Sequence, residues 1–497
     1  MREIDYGGLR AKIIGIDLGA SETRVARLNA AGLPEIVCNS VGELTTPSVI
    51  QFESSDITIG YEAKKRLGLG IPHVFSEFKR DLGTDKSWRI GGRTVTPVDL
   101  SALLLKKVVD DYAHQFGLPD KMAITWPANF RNEQREAVKS AAEIAGLSNV
   151  VFVEETVAAL LYYATKLSLK GKIILYHFGG TTFDVTLIEA NGLDIKILYQ
   201  VGVQQLGGRD MDRVLLKIIS EKYLRKTGEE LDVVDCCLGQ MEIESFKRKL
   251  NTSDTTLVRL ISSKHGPVLL EISRNEFNSG IVHLINQAEM ACENALWRGS
   301  DDSAQHVRHA DISEILMTGE ACLTPAVQSS IERLFKKTPK LIESDQAAAL
   351  GAAIYAAMRH GQEKINPAPI APHFFGTSLL REDGAGVLND IVIKKGVELP
   401  CRVERTYHTV KDNQTHVSCD MTQSAIEENN PEFVSKILEG YIQLPPGLPA
   451  GSAIKVIFCC DIDGCAGMQV SLPGGDGPSA TFSANIAPTP PPLADAR

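Results

Sequence analysis

Two short glycine turns carry the residues of this sequence best suited to chemistry. Asp17-Leu18-Gly19-Ala20-Ser21 and His177-Phe178-Gly179-Gly180-Thr181-Thr182-Phe183-Asp184 each interrupt an apolar run. Such turns aim several backbone N–H groups at one point, which suits phosphate oxygens, and a carboxylate beside them can orient a hydrated Mg²⁺. Asp17 and Asp184 are the carboxylates so placed. A single Gly-Gly turn usually just closes a hairpin. Two in register, with further glycine turns at Gly207-Gly208 and Gly319, point instead to a nucleotide phosphate site. Glu244, Lys247, Arg248 and Asn251 follow at spacings of 0, 3, 4 and 7 and so share one helix face. In isolation that pattern is a solvated salt-bridge face. Opposite phosphate turns, it could hydrogen-bond a ribose and lay the Arg248 guanidinium over an adenine.

These residues need a scaffold, and the surrounding pattern supplies one. Ile13 to Leu28 and Ile173 to Ile188 both read as strand, glycine turn, strand. Gly19 and Gly179, like Val25 and Val185, lie 160 positions apart, which predicts a duplicated unit and two facing lobes. Between the hairpins the spacing predicts a helix over Pro97–Phe116, a strand over Met122–Trp126 and a helix over Asn132–Ala145. Leu206 to Leu250 reads as mostly helical, with short strands to Ile272 and a helix over Arg274–Trp297. A strand over Ile315–Thr318 and a helix over Pro325–Phe335 come next. Last is a buried helix over Gln346–Met358, whose Ala348, Ala349, Gly351 and Ala352 admit a neighbouring backbone. Strands alternating with helices predict α/β layers. Residues 1–365 are therefore expected to form a two-lobed α/β nucleotide-binding domain. Residues 366–373 form a proline-rich linker, residues 374–486 an all-β domain marked by turns such as Asp412-Asn413 and Asp463-Gly464, and residues 487–497 a disordered tail.

Composition narrows the partners. The 497 residues, 43% apolar and 23% charged, suit about three globular domains and exclude collagen-like or wholly disordered classes. The 52 basic and 62 acidic side chains give a net charge of −10 with no long basic run, which argues against nucleic-acid and membrane-surface partners. Glu3 and Asp5 interrupt any signal-peptide pattern, and Ala347 to Met358 is too short to cross a bilayer, so a cytoplasmic location is expected. Ten cysteines without a Cys-x-x-Cys spacing predict free thiols.

The order of several motifs resembles the seventy-kilodalton heat-shock protein family of chaperones. They are Gly15-Ile16-Asp17-Leu18-Gly19, Phe78-Lys79-Arg80, Trp126-Pro127-Ala128-Asn129-Phe130, Glu154-Glu155-Thr156-Val157-Ala158-Ala159, Phe178-Gly179-Gly180-Thr181-Thr182-Phe183-Asp184, Leu206-Gly207-Gly208-Arg209-Asp210-Met211-Asp212 and Asp345-Gln346-Ala347. The resemblance implies an actin-like α/β nucleotide-binding domain followed by a β-sandwich that holds extended or unfolded polypeptide, with ATP or ADP and Mg²⁺ as ligands and cochaperones as a further partner class. It implies that Lys79 contacts phosphates near the attacking water, that Asp17, Glu154 and Asp184 hold the hydrated metal, and that Thr182 sits by the γ-phosphate. It also implies that Ser21 and Thr181 belong to the phosphate turns, and that Glu244, Lys247, Arg248 and Asn251 cradle the nucleoside with Asp345 behind them. Pro127 and Arg135 match a pair that relays nucleotide state.

The sequence departs from this family at points that matter. His177 stands where the family has an aspartate close to the γ-phosphate, and Ala20 replaces a threonine. Glu320 replaces a glycine beside the nucleotide, and Leu323 replaces the second arginine of the adenine clamp. A proline segment replaces the acidic, leucine-rich linker, and the sequence has no room for a helical lid. The expectation is a divergent chaperone with weak nucleotide binding and weak or absent hydrolysis. Leu379, Leu380 and Met421 are the candidate lining of its peptide groove. An active ATP-driven chaperone and a non-catalytic interaction scaffold are the alternatives.

Overall fold

A computed structural model describes residues 12–53, 56–192, 194–299, 306–360, 367–381, 386–472 and 479–483. The described residues divide into two compact units, one drawn from residues 1–129 and 141–366, the other from residues 130–140 and 367–491.

The first unit is built on two sheets. One runs Val150–Glu154, Lys121–Trp126, Ile13–Asp17, Glu22–Leu28, Pro34–Val37, its first three strands parallel and the rest antiparallel. The other runs Asp194–Val203, Phe183–Asn191, Lys170–Phe178, Ile312–Thr318, with the last pair parallel. Ile16 faces Val25 in the first hairpin and Tyr176 faces Val185 in the second, so the 160-residue repeat holds at the level of strand register. Ile173 to Phe178 are all buried, as expected of strands covered on both faces. Phe277, Ile281 and Leu284 of the helix Arg274–Arg298 belong to the same buried core as Tyr176, Phe178 and Val185.

Two helices position the candidate site side chains of this unit. Glu155–Lys166 begins directly where the strand Val150–Glu154 ends, with Glu154 as its N-cap residue, so two adjacent acids occupy the strand–helix junction. It packs backbone to backbone on the helix Ala347–His360, because Gly351 lies so close to Ala158 that a Cβ there would be 1.7 Å from the Ala158 carbonyl oxygen.

The second unit is a β-sandwich. One sheet runs Val387–Ile393, Phe374–Leu380, His416–Ser424, Ser435–Gln443, and the other runs Cys401–His408, Ala453–Cys460, Ala466–Ser471, Ser479–Ser483, all antiparallel. Phe375, Met421, Leu438, Val456, Phe458 and Met468 form its core. Of the expected linker, Asn366 lies outside the described residues, while the rest is built into this unit. Ala371 N donates to Val397 O (2.7 Å), Leu399 N donates to Pro369 O (2.8 Å), and Ala371 is fully buried. The unit also takes in residues 130–140, which no composition shift or turn signal separates from their neighbours. Buried Arg135 donates to Phe130 O (3.1 Å) and Asp463 O (2.7 Å), and Asn132 Oδ1 accepts from Ala466 N (2.8 Å). The expected tail at 487–497 lies outside the described residues. Among those described, no helix is long and apolar enough to cross a membrane.

Candidate functional site

Four glycine turns meet at the open ends of the two sheets. Gly19 N donates to Asp17 O (3.0 Å) and Gly179 N to Thr182 O (3.0 Å), which closes the two hairpins. Gly208 N and Arg209 N donate to Gly179 O (3.0 Å) and Gly180 O (2.8 Å), docking the third turn on the second. The contact excludes side chains, since a Cβ on Gly207 would lie 2.4 Å from Gly180 O and one on Gly180 would lie 2.4 Å from Ser21 Oγ. Gly319 closes the group, packed on Phe178 O. Ala20 and Thr181 are buried, and the Thr181 carbonyl accepts from Arg80 (3.0 Å).

Around these turns the structure collects acids. Asp17 Oδ1 accepts from Thr125 Oγ1 (2.8 Å), and Glu154 Oε2 accepts from Gln200 Nε2 (2.8 Å). Asp184 is fully buried, and neither of its oxygens accepts a hydrogen bond from the protein. Burial, and then the charge of Glu155, push its carboxyl up to about 7. Ser21 Oγ, the Asn129 amide and His177 Nδ1 are likewise buried without a protein partner. Orphaned acceptors and donors of this kind, beside a backbone cradle, fit a hydrated dication and a phosphate chain. Among the described residues no three His, Cys, Asp or Glu side chains converge as direct metal ligands.

A carboxyl raised in the folded state makes stability fall as pH rises, here from about 4, where the unfolded group ionises, to about 7. Asp184→Asn is accordingly expected to raise the melting temperature of the nucleotide-free protein at pH 7.5 by several degrees while abolishing any Mg–ADP-dependent shift. Thermal unfolding with and without Mg–ADP checks both halves.

Glu155 is the site residue that sequence reasoning passed over. One of its oxygens accepts from Lys79 Nζ (2.6 Å) and the other pairs with His177 Nε2 (3.0 Å), and all three side chains are less than a tenth exposed. Lys79 also donates to Leu18 O. Burial alone would raise the Glu155 carboxyl, but Lys79 and His177 hold it at about 2. Burial alone would lower the His177 imidazole, but the bond and charge of Glu155, followed by Asp184 and Asp17, raise it above its ordinary value. The available signal was the doubled acid Glu154-Glu155 at a strand–helix junction.

The residues expected to face a nucleoside lie on the helix Gln240–Thr252. Glu244 and Lys247 are buried and already engaged. Glu244 accepts from Lys64 (2.7 Å) and Arg209 (2.9 Å), while Lys247 pairs with Asp212 (2.7 Å) and donates to Gly208 O (3.1 Å). Asn251 Oδ1 is buried without a partner, whereas Arg248 is 55% exposed and reaches Glu320 at 4.0 Å. Burial, and then Glu22, raise the Glu320 carboxyl. Leu323 is exposed at the end of the same short turn, and Asp345 lies 3.4 Å from Arg24.

In the β-sandwich the three groove candidates do not converge. Met421 is fully buried in the core, Leu379 is half-buried, and Leu380 is 64% exposed beside Val387 on a hairpin. An open cleft of about 520 Å³ is lined by none of the three, but mainly by polar groups including Arg381, Asn389, Asp390, Asn429 and Asn430.

Paired glycine hairpins on two duplicated sheets, in a chain that also carries a β-sandwich, define an actin-like α/β domain of the ATPase type followed by an all-β domain. The comparisons agree. Residues 13–90 and 87–471 match the family model described as Hsp70 protein. The chain is 32% identical over 466 residues to the chaperone protein DnaK of Thermotoga petrophila, covering 91% of this chain and 77% of that relative. It is 30% identical over 468 residues to the chaperone protein DnaK of Mycoplasma mobile, covering 92% and 75%. The chain belongs to the Hsp70 family.

Proposed function

We propose that this protein is an Hsp70-family chaperone that binds Mg–ATP and Mg–ADP weakly, hydrolyses ATP slowly or not at all, and takes extended polypeptide in its β-sandwich. The observation that carries the reading is His177, held on Glu155 at the mouth of the second phosphate hairpin. In-line phosphoryl transfer needs an acceptor that orients the attacking water. A neutral imidazole offers one acceptor nitrogen and no negative charge. The charge of Glu155 favours the imidazolium, which attracts phosphate but takes no proton from water. Ala20 supplies no hydroxyl beside it.

The remaining groups favour retention of nucleotide. Asp17, Glu154 and Asp184 would hold the hydrated Mg²⁺, which neutralises phosphate charge when bound. Lys79 and Thr182 would face the phosphates. The nucleoside side is weakened, because Leu323 gives no second guanidinium face and Glu320 draws on Arg248. A guanidinium over an aromatic ring contributes about 0.5–2 kcal/mol. Glu320→Gly with Leu323→Arg is therefore expected to tighten Mg–ADP binding at least tenfold, as read by titration calorimetry.

Family membership and the sandwich support the polypeptide half of the proposal, and an open polar cleft lies beside Arg381 and Leu388. ATP turnover by the full chain, with and without fluorescent extended peptides whose anisotropy reports binding, tests the whole reading. Saturable peptide binding with turnover near background is the expected result. Absence of any saturable peptide or nucleotide binding would favour a scaffold.

A further inference from the structure

Three free thiols sit at one end of the sandwich sheet that holds the strands Cys401–His408 and Ala453–Cys460. Cys401 and Cys460 are direct partners in that antiparallel ladder. Directly opposite residues point to the same face of a sheet, with Cα atoms about 4.5–5.5 Å apart. That face is the core. Phe458 and Cys460, two residues apart on one strand, are both 1% exposed, and Cys401 packs against the same core while keeping part of its surface open. The neighbouring Cys459 turns the other way, and its thiol donates to Gly467 O (3.3 Å). The pleat thus sets two thiols face to face and keeps the third apart.

The pair also stands at a point where a covalent tie would matter. Among the described residues Cys401–His408 is the edge strand of its sheet, and none of its eight residues is buried, so its ladder with Ala453–Cys460 is what holds it. Just before it, Leu399 N donates to Pro369 O (2.8 Å), where the proline segment joins the sandwich.

We propose that Cys401 and Cys460 are a redox-active pair that a peroxide converts into a reversible cross-strand disulfide, fastening the edge strand to its neighbour. Disulfides span Cα separations of about 4.4–6.8 Å, which a ladder pair already meets. Burial raises both thiols and Cys460 the more, and Cys401 is the more open, so peroxide reacts first at Cys401. Its thiolate sulfur attacks one peroxide oxygen, the O–O bond breaks, and a sulfenic acid forms as the other oxygen leaves as water. The Cys460 sulfur then attacks the sulfenic sulfur and gives up its proton, and the hydroxyl leaves as a second water. In sum two thiols and one hydrogen peroxide give one disulfide and two waters, the sulfurs losing the two electrons that the peroxide gains. Cβ atoms of opposite residues lie about 4.5–5.5 Å apart, wider than the ~3.5–4.5 Å of a relaxed disulfide, so a dithiol should reopen the bond readily.

The test exposes the full-length protein to graded hydrogen peroxide, counts thiols after denaturation, and assigns any bridge by fragmenting non-reduced peptides in a mass spectrometer. The ten thiols are expected to fall to eight, with Cys401 bridged to Cys460, and dithiothreitol should restore all ten. Cys459→Ser should bridge as wild type does, whereas Cys401→Ser should form no bridge. Cys460→Ala should instead trap a sulfenic acid at Cys401 that a dimedone probe labels. Should the buried substitution at Cys460 fail to fold, the half-buried Cys401→Ser variant, checked by circular dichroism, still carries the test. The bridged protein is also expected to unfold at a higher temperature than the reduced one, a difference absent from Cys401→Ser, because the bond restricts the unfolded chain. A bridge from Cys459 to Cys460 or from Cys236 to Cys237 with Cys401 left free would overturn the proposal. So would a two-thiol loss that persists in Cys401→Ser, oxidation of Cys401 to a sulfinic acid without any bridge, or ten thiols remaining until the protein unfolds.

Discussion

His177→Asp combined with Ala20→Thr and Glu155→Gln is expected to raise single-turnover ATP hydrolysis at least tenfold over wild type. A positioned acceptor for the attacking water is worth ~10²–10⁴-fold, which sets the upper range of the gain. The third substitution follows from the structure. His177 Nε2 lies 3.0 Å from Glu155, so His177→Asp alone would set two buried carboxylates against each other, and one of them would take up a proton instead of orienting water. The pair His177→Asp with Ala20→Thr should therefore gain less than the triple variant. Rapid-quench measurement at saturating Mg–ATP separates them. Equal rates in the double and triple variants would show that Glu155 does not control the group at position 177.

Gly351→Ala is expected to cause the largest loss of stability of any single methyl group in the first unit. The added carbon would lie 1.7 Å from Ala158 O and 2.4 Å from the Ala158 carbonyl carbon, a clash of backbone with side chain that no rotamer relieves. The helices Glu155–Lys166 and Ala347–His360 must then separate, opening a contact whose other members, Ala158, Ala348 and Ala352, are 3% exposed or less. Overpacking of a tight core costs about 1–3 kcal/mol and more where backbone must move, so a loss of at least about 3 kcal/mol is expected. Because the shift also displaces Glu155 from Lys79 and His177, nucleotide affinity should change with it. Urea denaturation of the variant beside the wild type measures the first effect, and an unchanged midpoint would contradict the packing described.

Much of the architecture was legible in the residues because duplication and periodicity are local signals. The helix Pro97–Phe116 lies where its apolar spacing put it, capped by Thr96 through Asp99, and the two hairpins share the register that the 160-residue offset implied. The short strands of the first unit left little trace. Val49–Glu53, Asp56–Ile59 and Trp88–Ile90 are three to five residues long, too short for alternation to stand out. Pairing between distant segments was invisible for a different reason. The contact of Arg135 with the Asp463 carbonyl joins residues 328 positions apart and is made to backbone, which carries no side-chain signal. Glu155 was hidden by its neighbour. With Glu154 already matched to the metal, nothing in the sequence said that the next acid would turn toward Lys79 and His177, because that direction is set by where the helix begins.

The central proposal is that His177, paired with Glu155 in the proposed nucleotide site of this Hsp70-family chain, does not promote hydrolysis. Single-turnover hydrolysis of Mg–ATP by wild type and by His177→Ala, with nucleotide saturating and its binding verified in the same sample, tests that most directly. The predicted result is a rate near the uncatalysed background for both proteins. Robust wild-type hydrolysis that collapses in His177→Ala would contradict it and make the histidine the catalytic group.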